Sequence, residues 1–478
     1  MLAAATAGRK DASMSVEASA NIQQRRREQR GWYFYDWAAS AFSTTVVTVF
    51  LGPYLTSVAQ AAAEAGQPIT ILGLVPVTAE SYFPYVVSLS VVLQVLVMPV
   101  VGAFADVARS RRAVMGLFAY VGALAVMGMF FLQGTGYQLG GILFIVANVA
   151  FGAAMTVYNS FLPQIATPDE RDGVSSRAWA MGYVGGGLLV VINLALFLGH
   201  SSLGIEEGFA VRICLLSAGI WWGVFSLIPL ARLRDRAWGT GATDAGHGTA
   251  DAQGHGQGHG HGHGIIAGFR QLGRTFAELR MYPQALLFVA AFFFYNDGIQ
   301  TVIGLSATYA DQELGLPTTV VIVAVLVVQV VGIGGALLLG RIAGRIGAKR
   351  VVLASLVLWA LILVFAFALP VGAATLFLVL AAAIGFVLGG SQALSRSLFA
   401  QLVPRDKEGE YFAFYEVSNG VSSILGPLVF ALTLQFLGSY RIAILALVVF
   451  FAIGGVLLSR VDVRKGIAAV GNEQPRVS

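Results

Sequence analysis

Long apolar stretches separated by short polar connections run from residue 32 to residue 460. Segments such as 317–339 (PTTVVIVAVLVVQVVGIGGALLL) and 351–369 (VVLASLVLWALILVFAFAL) hold no charged residue. Each approaches the ~20 residues a helix needs to cross ~30 Å of hydrocarbon. Twelve spans are expected, at 32–60, 81–103, 113–133, 140–161, 178–199, 209–230, 284–309, 317–339, 351–369, 374–397, 411–436 and 440–460. Lipid satisfies no backbone N–H or C=O, so helices are the economical solution; a barrel would show short alternating strands instead. The expected fold class is an all-α membrane protein with about twelve transmembrane helices.

Charge fixes the sides. If the connections alternate between two faces, only Arg212 and Arg441 of the 30 Lys and Arg fall on the face opposite the N-terminus. Basic residues stay cytoplasmic, so both termini are expected there, in a protein integral to the cell (plasma) membrane. Composition agrees: 57% of residues are hydrophobic and 12% charged, against roughly 25% charged in a soluble domain. The net charge of +5 is explained by bilayer topology, which removes the case for a nucleic-acid partner. The first thirty residues are basic and lack an apolar core, so no secretory signal is read there. The lone Cys214 cannot form an internal disulfide.

The two halves of the chain resemble each other. Gly102-Ala-Phe-Ala-Asp106-Val-Ala-Arg109-Ser-Arg111-Arg112 follows the second span, and Gly340-Arg-Ile-Ala-Gly344-Arg345-Ile-Gly347-Ala-Lys349-Arg350 follows the eighth. PDERDG (168–173) precedes the fifth span, PRDKEG (404–409) the eleventh, and Phe34-Tyr35-Asp36 is echoed by Phe294-Tyr295-Asn296. This predicts two six-helix pseudo-repeats related by an axis along the membrane normal. The domain reading is a basic tail (1–31), a first half (32–230), a linker (231–283), a second half (284–460) and a C-terminal tail (461–478). The linker core, HGTADAQGHGQGHGHGHG, has no packable pattern. Its end, 265–281, reads as an amphipathic helix on the inner membrane surface.

The paired loop motifs resemble the Gly-x-x-x-Asp-Arg-x-Gly-x-Arg/Lys signature of the major facilitator superfamily. Each copy is incomplete: the first has Val107 and Arg109 where the family has Arg and Gly, and the second has Gly344 for Asp. The glycine allows close helix approach, and the aspartate can cap a helix or pair with an arginine, closing an inner gate. Four stretches, GWYFYDWAASAF (31–42), YNSFLPQIATPDERDGVSSRAWAMGYVGGG (158–187), FFFYNDGIQTVI (292–303) and GGSQALSRSLFAQLVP with YFAFYEVSNGVSSILGP (389–404, 411–427), look like the "unknown major facilitator" family, related to the fungal autophagy-related vacuolar amino-acid effluxers. The resemblance implies the major facilitator fold, solute transport and amino-acid export.

Acidic residues inside the expected spans are Asp36, Asp297 and Glu416. Ionisable groups in hydrocarbon cost at least ~2.5 kcal/mol at mid-depth, so they face a cavity or a partner. Asp297, half-way along the seventh span, is the first candidate for a proton- or substrate-binding carboxylate; the plain alternative is a hydrogen-bonded structural aspartate. Tyr295, Asn296 and Gln300 surround it, and Asp36, Tyr35, Asn159 and Gln392 complete the binding candidates on the first, fourth and tenth spans, which with the seventh line the cavity in the superfamily. Trp32 reads as an interface anchor. Candidate gate residues at the cytoplasmic ends are Gly102, Asp106, Arg111, Arg112, Arg177, Gly340, Arg345, Gly347, Lys349, Arg396 and Glu416. Interfacial snorkelling explains the arginines equally well. Glycine clusters at 185–187 and 389–390, and Gly426-Pro427, mark tight packing or a kink.

Secondary active transport of a small solute by alternating access, driven by an ion gradient with the proton as the expected ion, is the leading function. No phosphate-cradling Gly-x-x-x-x-Gly-Lys-Ser/Thr loop is present, so ATP drive on this chain is unsupported. Nor is there a His-Glu-x-x-His or Gly-x-Ser-x-Gly motif, so neither an enzyme nor a cofactor is expected. A non-transporting membrane sensor or scaffold is the first alternative. A divalent-metal exporter is the second: it rests on His255, His259, His261 and His263, whose spacing is permissive and unsupported by metal ligands in the spans, so no metal site is assigned.

Overall fold

The computed structural model describes residues 2–235, 280–405, 407–422 and 425–477. Twelve helical segments in it are long and apolar enough to cross a membrane. In the first half, spans 1–6 are Asn21–Glu64, Ser81–Asp106, Arg111–Phe131, Tyr137–Ile165, Arg171–Leu198 and Glu207–Arg232. In the second, spans 7–12 are Pro283–Gln312, Thr319–Ile346, Ala348–Phe367, Ala374–Leu402, Glu408–Leu434 and Tyr440–Arg460. Every expected span is present. Most run further than the hydrophobic pattern at the face that carries the chain termini, span 8 to Ile346 and span 10 to Leu402. Their polar ends leave the hydrocarbon but pack on one another, so the helical hydrogen bonds continue. The linker core, the His tract and nearly all of the expected amphipathic helix lie outside the described residues.

Local chemistry sets the helix ends. Thr78 and Ser81 form a reciprocal capping box before span 2. Ser110 and Ser439 cap spans 3 and 12, accepting from Ala113 N and Ile442 N. Spans 8 and 9 are joined without a loop at Gly347, whose φ of 93° is open to glycine and strained for other residues. The first outer connection carries a small hairpin, Thr70–Ile71 paired antiparallel with Val75–Pro76.

Two spans depart from a regular helix. In span 1, Phe42–Phe50 is a π-helix, a wide turn often found at functional positions. Its register is echoed by Thr48, whose hydroxyl donates to the carbonyl of Ser43, five residues back, at 2.8 Å. Span 11 consists of two helices, Glu408–Val421 and Leu425–Leu437.

Large apolar side chains such as Leu124, Leu227, Val330, Val357 and Leu361 are exposed around the bundle, a surface suited to lipid. The halves meet mainly through spans 2 with 11 and 5 with 8. Glycines permit these close crossings. A Cβ on Gly102 would stand 2.5 Å from the carbonyl oxygen of Gly409 in span 11, and one on Gly340 would strike Ser176 in span 5.

Candidate functional site

Between the halves lies a cavity of about 1000 Å³. Its rim includes Ala61, Gln133, Gly134, Glu206 and Glu207, on the face opposite the chain termini. Its walls are largely apolar, with Val190, Leu194, Phe197, Val302, Val325, Ile384 and Leu388 from both halves. Polar groups reach it at Thr44 and Thr48 of the π-helical turn, and at Gln329. None of the binding candidates read from the sequence lines this cavity. The signal that could have found Thr44 and Thr48 is the hydroxyl-rich FSTTVVT run (42–48) inside span 1.

The face that carries the termini is shut by polar contacts between the halves. Arg396 of span 10, 3% exposed, donates to Asp36 Oδ2 through both terminal nitrogens at 3.2 Å, to Ser175 Oγ at 2.9 Å and Ser175 O at 3.0 Å, and to Asn159 Oδ1 at 3.3 Å. Its guanidinium stands over the Trp32 ring at 4.7 Å, with Tyr158 and Trp179 at 5.6 and 5.8 Å, an aromatic cage for a desolvated cation. Trp32 is thus a buried partner of Arg396, its indole donating to Tyr158 O at 2.9 Å, and not the interface anchor its composition suggests. The shape of the cage comes from neighbouring helices, which sequence spacing does not reveal. Tyr35 packs 4.8 Å from the Tyr158 ring.

Asn159 carries the network onward. Its amide nitrogen donates to Glu416 at 2.8 Å, and Asn419 Nδ2 stands 3.5 Å from the same carboxylate. Asn296 Nδ2 donates to Asn419 Oδ1 at 2.8 Å and Ser422 Oγ at 2.6 Å, and Gln392 donates to Asn296 Oδ1 at 2.7 Å. Gln300 reaches Asn419 at 3.5 Å, and the hydroxyls of Tyr295 and Ser395 are 2.6 Å apart. Seven of the eight binding candidates therefore gather around this network. Asp297 stands apart: fully buried, it accepts the backbone N–H of Gly426 at 3.0 and 2.9 Å through its two oxygens and so caps the second helix of span 11.

The first loop motif closes spans 2 and 11. Asp106 accepts the N–H groups of Gly409 and Glu410, both at 2.9 Å, and pairs with Arg111, which also faces Glu408 at 3.6 Å. Arg112 donates to the carbonyls of Leu230 and Leu233 at the end of span 6, and Lys349 does the same for Ser459 and Val461 at the end of span 12. Arg177 and Arg345 are exposed and lie outside the network. Sequence reasoning missed Arg171, which donates to Ala400 O at 3.1 Å, and Asp172, which accepts from Ser397. Both belong to the PDERDG block whose repetition was the available signal. A further inter-half contact is Tyr183 of span 5, seated against Gly332 and Gly389.

A cavity between two six-helix halves, open on one face and shut on the other, with paired glycine-containing loop motifs, defines a major facilitator transporter, an integral membrane protein that moves a small solute. Residues 24–471 match the family model described as "Vacuole effluxer Atg22 like", and the chain belongs to that family. It is 28% identical to the uncharacterized MFS-type transporter YxiO of Bacillus subtilis, over 91% of this chain and 94% of that protein. With autophagy-related protein 22-1 of Penicillium rubens it shares 24% identity, over 92% and 90%. The fold is similar to that of the E. coli fucose:proton symporter FucP, with a TM-score of 0.62 and 14% identity, covering 92% of this chain and 98% of that one.

Proposed function

We propose that the protein is a secondary active transporter that exports a small solute, with an amino acid as the cargo class, by alternating access driven by a proton gradient. The carrying observation is the cavity of about 1000 Å³ between the halves, open opposite the termini while Arg396, Asp36, Asp106 and Gly409 hold the other face shut. Such a cavity serves a carrier because the contacts that close it are few, polar and breakable, while each half remains internally packed. The amino-acid class comes from the family resemblance, supported by the word "effluxer" in the family description. Proton drive draws support from the fucose:proton symporter of similar fold. The distribution of basic residues supports cytoplasmic termini in the plasma membrane. The gate of this cycle is the set Gly102, Asp106, Arg111, Gly340, Arg396 and Glu416.

The test is a ligand-stabilisation screen of the purified full chain with amino acids and other small metabolites, followed by flux of each hit from proteoliposomes under an imposed pH gradient. A hit raises the unfolding temperature in proportion to the logarithm of its concentration and moves against its own gradient. Binding without flux in any gradient assigns the chain to the sensors instead. Among the described residues no cluster of His, Cys, Asp and Glu is suited to a metal.

A further inference from the structure

We propose that Glu416 is the proton-binding site of this carrier, and that Arg396 exchanges Asp36 for Glu416 as its carboxylate partner when the halves part on the face that carries the termini. The proposal rests on the transport reading above and names the group that couples it to protons.

The network holds one guanidinium, Arg396, and two carboxylates, Asp36 and Glu416. Asp36 already compensates Arg396, by two hydrogen bonds from the same cation. Among the described residues, the hydrogen-bond partners of Glu416 are neutral amides, Asn159 at 2.8 Å and Asn419 at 3.5 Å. With both acids ionised, the cluster, in which Arg396 and Asp36 are buried and Glu416 half-buried, would carry one uncompensated negative charge on the closed face, which is unfavourable away from bulk water. A proton on Glu416 removes it. The charged groups within reach of Glu416 are Arg396 and Asp36. The phenol that interacts with it is that of Tyr415, beside it on span 11, while Tyr35 and Tyr158 stand by Asp36. On span 2, Asp106 is engaged with Arg111 and the start of span 11.

Membership of the two halves gives the switch its direction. Asp36, Asn159 and Ser175 belong to the first half, whereas Arg396 and Glu416 belong to the second. Parting the halves strips Arg396 of Asp36, Ser175 and Asn159 together, and strips Glu416 of Asn159. A single amide, that of Asn159, now bridges the two, its oxygen on Arg396 and its nitrogen on Glu416. Once it leaves, the cation and the acid remain on the same half, and among the described residues no other charged partner is within reach of the acid. The Glu416 O–H bond then breaks, its proton passes to water on the face that carries the termini, and the carboxylate left behind compensates Arg396. The return stroke restores Asp36 to Arg396 and requires Glu416 to take up a proton. When water of the open cavity supplies that proton, each cycle carries one proton from the cavity side to the side of the termini, the direction that drives export of a solute by exchange.

The experiment reads the closed face directly in the full-length protein, reconstituted in liposomes, with Cys214 replaced by serine. The reporter is Ser176→Cys, a near-isosteric change at a position buried against Gly340 in the closed arrangement. Its maleimide labelling rate is measured between pH 5 and pH 9 and divided, at each pH, by the rate of the same thiol in the unfolded protein, because the thiolate is the reacting form; this ratio is read as the fraction of molecules open at that face. The expected result is a rate that rises with pH by about tenfold per unit across the transition. Glu416→Gln should hold the reporter unlabelled and remove the pH dependence, and Glu416→Asp should restore a pH dependence with a displaced midpoint, which a merely structural role would not give. PH-dependent labelling that survives unchanged in Glu416→Gln overturns the proposal and leaves the transport reading intact. A reporter that never labels, even when Asp36→Asn removes the competing partner, overturns both.

Discussion

Asp106 and Gly409, 303 positions apart in the chain, are joined across the two halves: the carboxylate of the first accepts the backbone N–H of the second at 2.9 Å. The same carboxylate takes the N–H of Glu410 and pairs with Arg111, so one side chain caps span 11 and ties it to span 2. Removing it should loosen the closed face without unfolding either half. Asp106→Ala loses a helix cap worth about 0.5–2 kcal/mol, and labelling of Ser176→Cys should rise roughly two- to thirtyfold. Labelling equal to the parent would show that the cap contributes nothing to closure.

Gly102→Val tests the same crossing through sterics. Its Cβ would stand 2.5 Å from Gly409 O and 2.6 Å from the Ala413 methyl. Backbone cannot yield there without separating the spans, so the variant is expected to express, to bind solute weakly from the cavity side, and to label at Ser176→Cys at any pH. A variant that closes normally would mean the two helices can slide apart at no cost.

Asp297 predicts a split between two substitutions. Asn retains an oxygen that can accept Gly426 N–H, while Ala leaves that buried donor unsatisfied, at about 1–3 kcal/mol. Thermal unfolding in detergent should therefore place Asp297→Asn near the parent and Asp297→Ala well below it. Loss of proton-driven flux in a well-folded Asp297→Asn protein would instead give this carboxylate a share in coupling.

The C-terminal tail crosses between halves on the closed face. Asn472 donates to the carbonyls of Gln401 and Val403 in the second half, and Arg476 N donates to Asp169 in the first at 2.6 Å. The ion pair of Arg476 with Asp169 is exposed and contributes little. Deleting 470–478 should raise reporter labelling by about threefold or less; a larger rise would make the tail a principal latch.

Labelling of single cysteines fixes the topology. Leu74→Cys, in the exposed outer hairpin, and Lys465→Cys, on the helix after span 12, should react with an impermeant maleimide from opposite sides of the membrane. Reaction of both from one side would refute an even number of spans.

The sequence by itself determined the twelve spans, the side on which basic residues gather and the repeat, because lipid forces each crossing to be a long apolar helix and charge resists translocation. It also placed Arg396 and Glu416 at the expected cytoplasmic ends of their spans, since depth follows from position along a span. Tertiary structure alone decided what they touch. The partner of Arg396 depends on how spans 1, 4, 5 and 10 rotate about their axes, and a hydrophobic run wetted by lipid on one side and protein on the other has little amphipathic pattern to reveal that rotation. Asp297 became a cap because the helix Leu425–Leu437 starts beside it, and Thr44 and Thr48 face the cavity because a π-helical turn shifts the register of span 1; neither follows from the regular helix that hydrophobic periodicity assumes.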